Sequence, residues 1–281
     1  MSGLHWHPHP DVWALVVLLL GGYLLALRRL GPRVTAPGEA AATPRQKAAF
    51  VLGVATLWVA SDWPIHELAE HSMYWVHMVQ HLLQALVAPP LLLAGTPGWM
   101  ARAILRPRAL LRLVRILARP IPALLAFNAV IALIHWPEVV NLMVRSELAH
   151  LGFHTLIVGT ALLMWMPVFS PLLEIPRLPY PLQMLYLFLQ SILPTVPASF
   201  MTFADTPLFD AYVGLPRPWG MSAVTDQMIA GLIMKIVGGL ILWAVIAYLF
   251  FRWYRQEEAE GSDALQWRAM ERDLDRLETR R

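Results

Sequence analysis

The run His77-Met78-Val79-Gln80-His81 sets two imidazoles and a thioether at the start of an apolar stretch. Such groups dissolve poorly in lipid and hold soft metal ions well. In a helix His77 and His81, spaced i, i+4, project from one face, with Met78 i+3-related to His81 on its flank. His150 and His154 repeat the i, i+4 spacing in a second apolar stretch, and His135 ends another, just before Trp136-Pro137. Two imidazoles one turn apart can share a metal, and a thioether adds a preference for Cu(I). Cysteine is absent, which excludes disulfides and thiolate ligands and leaves metal chemistry to His, Met and carboxylates. The predicted ligand set is His77, Met78, His81, His135, His150 and His154. His66 and His71, beside Glu67 and Glu70, are expected access ligands.

Blander readings exist for each group. A histidine near a membrane interface ordinarily bonds a neighbour or water, which suits His66 and His71. His5, His7 and His9 read as an N-terminal tail, and Gln80 as a helix contact or outer partner of the ligands. Met201, Met228 and Met234 would extend a copper path, although each methionine taken singly reads as apolar packing. Haem ligation fits poorly, because axial ligands lie on opposite faces of a porphyrin and come from different helices.

The elements that must carry these residues are membrane helices. Of 281 residues, 57% are hydrophobic and 15% charged, well below the roughly 25% charged of soluble domains. Seven apolar runs approach the roughly 20 residues needed to cross a bilayer, at about 12–30, 48–68, 73–95, 121–136, 150–168, 181–204 and 226–251. The expected fold is all-α, a polytopic bundle of about seven transmembrane helices. Lys and Arg collect on one side: Arg28 to Lys47, Arg102 to Arg119, Arg177, and the segment from Arg252 onward. The basic pI of about 9.4 is therefore an orientation signal and not a nucleic-acid signal. The positive-inside rule predicts an outer N-terminus and a cytoplasmic C-terminus, with all ten histidines toward the outer side and a first span inserting as an anchor without cleavage.

Three regions are expected: an extracytoplasmic His-rich N-terminus (1–10), a seven-helix transmembrane domain (11–254) and a cytoplasmic tail (255–281). Trp267, Met270, Leu274 and Leu277 suggest a short amphipathic helix in that tail. Pro89-Pro90, Pro194 and Pro197 should bend their spans and free backbone carbonyls, while Pro167 to Pro181 suggests an extended connection. Lys235, within span 7, either takes a counter-ion, for which Asp62 and Asp205 are the candidates, or is neutral, or reaches a wet cavity.

The chain resembles the CtaG-type cytochrome c oxidase assembly factors of bacteria, integral membrane proteins associated with caa-type oxidases. The matching elements are H-M-V-Q-H-L-L at 77–83, A-P-P-L-L at 88–92, G-T-P at 95–97 and H-W-P at 135–137, together with the His150/His154 pair. P-R-P-W-G-M-S at 216–222 and D-Q-M-I-A-G-L-I-M at 226–234 complete the series. The resemblance covers about residues 45–250 and departs at Lys235 and at the HWHPH start. It implies a multi-pass protein of the bacterial inner membrane that matures the oxidase without being an enzyme. Copper would be its cargo, and cytochrome c oxidase subunits its partners within the lipid bilayer. A periplasmic copper donor and a second copy of the chain are further partners that this reading admits. The alternatives are a copper transporter and a haem- or quinone-linked membrane electron carrier. A retinal-type protein is disfavoured, because Gly231 stands where an aspartate would precede the lysine.

Overall fold

Prolines mark most of the helix starts. In the computed structural model, which describes residues 6–36 and 38–278, with the side chains of Pro218 and 261–278 outside that description, α1 spans Pro10–Arg29. Helix α2 spans Pro44–His71 and opens on a capping box between Thr43 and Gln46. It breaks at Asp62 and resumes at Ile65. Helix α3 is Tyr74–Gly95. An amphipathic α4 (Arg108–Leu117) meets α5 (Pro120–Ile134) at an 82° bend. Helix α6 (Pro137–Arg145) leads into α7 (Glu147–Phe169), which Ser146 caps. Helix α8 is Tyr180–Phe203, broken near Pro194, and α9 is Ala223–Glu260 as a span.

Six of these helices are long and apolar enough to cross a membrane, or seven if the α4–α5 pair counts as one bent span. The protein is an all-helical, multi-pass membrane protein. The fourth expected span is the irregular one. Helix α5 has 15 residues, about 22 Å at 1.5 Å per residue, short of the roughly 30 Å hydrocarbon layer. Its α4 extension, which carries Arg108, Arg112 and Arg115, turns away from the α5 axis by 82°.

Helix α3 is the most buried span and α1 the least. Small residues let the backbones around α3 approach closely, as membrane packing favours. A Cβ on Gly95 would strike the Phe50 backbone of α2, and one on Gly53 would lie 2.9 Å from Leu92. Tyr23 of α1 stacks on Phe50 at 3.9 Å and donates to the Gly95 carbonyl at 3.0 Å. On the opposite flank a Cβ at Gly238 of α9 would reach Leu82 at 3.2 Å.

Helix α3 also shows how a bent span survives in an apolar setting. Pro89 has no N–H for the carbonyl of Ala85, and the helix widens into a π turn over Leu83–Val87. The Trp165 indole of α7 donates to that carbonyl at 3.0 Å. The freed acceptor is thus met by a neighbouring helix, which is how proline breaks persist in membranes.

Three expectations change. Pro167 lies inside α7, so the extended connection begins only at Ser170. The tail backbone is helical through Glu278 as a direct continuation of α9, in place of a separate short helix; its Trp267, Met270, Leu274 and Leu277 side chains lie outside the described residues. Asp62 is not the counter-ion of Lys235. Its carboxylate accepts the Trp13 and Trp58 indoles at 2.8 and 2.6 Å and the Trp63 amide at 2.8 Å. Lys235 and Asp205 are both exposed, and no ion pair joins them among the described residues.

Candidate metal centre

One end of the bundle gathers the second segment of α2, the first turns of α3 and α7, the last turn of α5 and the connection that precedes α9. Each contributes polar groups that its helix spacing turns inward. His77 and His81, one turn apart on α3, hold their rings 4.2 Å apart. His150 and His154, one turn apart on α7, stack at 4.2 Å. The two pairs face each other: His77 lies 5.8 Å from His154, and His81 lies 5.1 Å from it. His135, just past α5, approaches His81 at 5.9 Å. All five rings are buried.

The ligand atoms of His77, His81 and His154 all fall within 4.8 Å of one another. Small rotations bring three such nitrogens onto one ion at metal–nitrogen lengths near 2.0 Å. A second group, within the same limit, joins His66 and Glu70 of α2 to His150. His71 lies outside both groups, exposed, with its Nε2 3.7 Å from Glu67.

Hydrogen bonding indicates where the ring lone pairs lie. His135 Nδ1 donates to the Ile131 carbonyl at 2.7 Å, and His154 Nδ1 to Gln84 Oε1 at 2.7 Å. A proton held at Nδ1 leaves the lone pair at Nε2, the usual arrangement of a metal-binding imidazole and its outer partner. In both residues that Nε2 is buried and has no hydrogen-bond partner, as is His150 Nε2. His77 Nδ1 and both ring nitrogens of His81 are in the same position. Each unmet buried polar group costs about 1–3 kcal/mol. So many in one place is expensive for a structural core, and a bound ion offsets that cost. The residues present fit a metal.

Gln84 is the His154 hydrogen-bond partner that the sequence reading does not include. It sits i+3 from His81 on the same helix, and its amide nitrogen is anchored to Ser61 Oγ at 3.0 Å. A glutamine in an apolar run was the available signal. Replacing Gln84 with leucine is expected to weaken metal binding about 10–100-fold by freeing the His154 ring. A competition titration with a chromophoric Cu(I) chelator measures this. An unchanged affinity would remove Gln84 from the site.

Met78, expected as a ligand, is buried within the apolar core beside the site. Met201 and Met234 are buried in that same core, and Met228 is partly exposed. Gln80 contacts His66 Nδ1 at 3.1 Å through its Nε2, the helix contact expected of it. His5 lies outside the described residues. His9, read as part of a tail, rests its ring edge-on against His66 at 4.8 Å.

An aromatic wall closes the centre. Tyr74 stacks on His77 at 5.7 Å, with Phe209 at 4.5 Å and Tyr212 at 4.9 Å from the Tyr74 ring. Tyr212 donates its hydroxyl to the Ala69 carbonyl at 2.8 Å. Burial, before neighbouring charge, pushes its phenol well above the ordinary range, so it remains a donor. Asp226 fixes the start of α3 by accepting the Tyr74 and Trp75 amides at 3.0 and 2.9 Å. Arg217 pairs with the same carboxylate at 3.0 Å.

Residues 21–256 match the sequence model of the cytochrome c oxidase caa3 assembly factor family (Caa3_CtaG). Uncharacterised proteins of Mycobacterium bovis and Mycobacterium tuberculosis are each 28% identical over 212 residues. Those alignments cover 68% of this chain and 31% of each relative, so the chain spans about a third of the length of the curated relatives it matches. No solved structure matches.

Proposed function

The chain belongs to the cytochrome c oxidase caa3 assembly factor family, and on that premise we propose that it is a non-enzymatic copper-binding factor that supplies the oxidase. Copper, as Cu(I), is the cargo of the His77, His81 and His154 group. His135 and His150 flank that group as further imidazoles along the transfer route. Handover proceeds by ligand exchange, so the factor itself performs no redox step.

The observation that carries this reading is the set of buried imidazole nitrogens without partners on three helices that meet at one end of the bundle. Cargo binding differs from a structural site in needing ligands that release the ion. An all-imidazole set without thiolate meets that need. The positive-inside pattern supports a periplasmic location for this end of the bundle, in a bacterial inner membrane. A recipient that reaches the ion laterally, within the membrane, suits its depth better than a soluble domain does. The oxidase's intramembrane copper centre is therefore the proposed destination.

The test is oxidase maturation in a strain carrying His154→Ala at the native locus. Oxidase isolated from it is expected to keep its haem and lose most of its copper. Full copper content in the variant and in a deletion strain would sink the delivery role. Copper uptake by proteoliposomes holding the purified chain would favour transport across the bilayer in its place.

A further inference from the structure

We propose that His66, Glu70 and His150 form a second metal site, chemically distinct from the all-imidazole group and selective for a borderline divalent cation, Zn(II) or Cu(II). The Glu70 Oε1 atom lies 2.9 Å from His150 Nδ1 and 3.4 Å from His66 Nε2. All three ligand atoms lie within 4.8 Å of one another. His66 and Glu70 are i, i+4 on the last segment of α2, so one face presents both. His150 reaches the pair from the first turn of α7, with its ring 5.4 Å from His66.

Two further observations point to an ion and not to a simple ion pair. His9 Nε2 is buried without a partner, and its ring lies edge-on against His66. Gln80 Oε1 is also buried and unpartnered, while Nε2 of the same amide faces His66 Nδ1. Turning that amide over lets Oε1 accept from His66 Nδ1. The Gln80 oxygen is then satisfied, and the lone pair of His66 lies at Nε2, beside Glu70.

The donor set decides which ion. Two imidazoles and one carboxylate are a familiar set for Zn(II), and carboxylate oxygen disfavours soft Cu(I). The adjoining group offers three neutral imidazoles and no carboxylate, a set that accepts Cu(I) without the charge that favours a divalent ion. The two clusters therefore differ in charge while sharing an edge, since His150 stacks on His154. Glu70 is a quarter exposed, which leaves this second site open to ions from outside. An ion here would also tie α2 to α7, with His9 at the start of α1 packed against His66.

The experiment uses the full chain, purified in detergent and stripped of metal, with Zn(II) alone and Cu(II) alone as probes. Wild type is expected to bind at least one Zn(II) per chain, and Cu(II) with nitrogen superhyperfine coupling in its electron paramagnetic resonance spectrum. Glu70→Gln and His66→Ala should each weaken Zn(II) at least tenfold and lower Cu(I) affinity far less than His77→Ala/His81→Ala does. His77→Ala/His81→Ala should retain Zn(II). Thermal melting of the metal-free variants separates ligand loss from unfolding, and Glu70→Gln conserves shape. Zn(II) binding lost in the double histidine variant but intact in Glu70→Gln would overturn the second site, as would no Zn(II) bound by wild type. Absence of Cu(I) binding with Zn(II) retained would instead strike the copper-supply reading and leave this site standing.

Discussion

Replacing His77 and His81 together with alanine is expected to abolish tight Cu(I) binding, lowering affinity by more than about a hundredfold. That loss exceeds the roughly 10–100-fold cost of removing a single outer partner, because two of three ligands go at once. Cu(I) at a hundred times its dissociation constant should stabilise the wild type by about 2.7 kcal/mol and the variant not at all. Two measurements check this: competition against a Cu(I) chelator, and melting with and without Cu(I). The metal-free variant should remain folded. Alanine leaves a cavity, which destabilises, but it also removes buried nitrogens that had no partner. Met78→Leu is the companion variant. Met78 lies in the apolar core, so a volume-conserving exchange should cost below about 1.5 kcal/mol and reduce Cu(I) affinity far less than loss of either histidine. Wild-type Cu(I) affinity in the double variant would sink the site.

Local periodicity made half of this centre legible in the sequence. The spacing of His77 with His81, and of His150 with His154, depends only on helical geometry, and both pairs do share their faces. What no local rule carries is the contact between pairs, because Gln84 and His154 are 70 residues apart. Pro89 announced a break in α3, yet the group that meets the freed carbonyl is Trp165, 80 residues on. The Asp62 error has the same root. A search for charge partners looks for lysine and arginine, whereas the carboxylate is satisfied by indole N–H groups from Trp13 and Trp58. His9 reads as a tail because it precedes the first apolar run. Its place beside His66 follows from how α1 docks on α2, which sequence spacing does not encode.

Replacing Asp226 with alanine is expected to be the most destabilising single change in the bundle, by about 3–5 kcal/mol. The carboxylate is fully buried, and its partner Arg217 is nearly so. Removing one member of such a pair leaves the other as an uncompensated buried charge, which sets that magnitude. The same change leaves the Tyr74 and Trp75 amides without their acceptor at the positive end of the α3 dipole, where loss of a cap alone costs about 0.5–2 kcal/mol. Asp226→Asn retains one acceptor oxygen and should fall between alanine and wild type. Arg217→Met combined with Asp226→Leu removes both charges and should recover part of the loss, because an apolar pair avoids the stranded guanidinium. The functional consequence follows from position, since His77 is one turn beyond Tyr74. A displaced helix start moves His77 away from His154, so Cu(I) affinity should fall in Asp226→Ala even at temperatures where the bundle remains folded. Circular-dichroism melting in detergent with a Cu(I) competition titration reads both effects. A melting temperature within a degree or two of wild type would mean that Asp226 does not hold α3 in place.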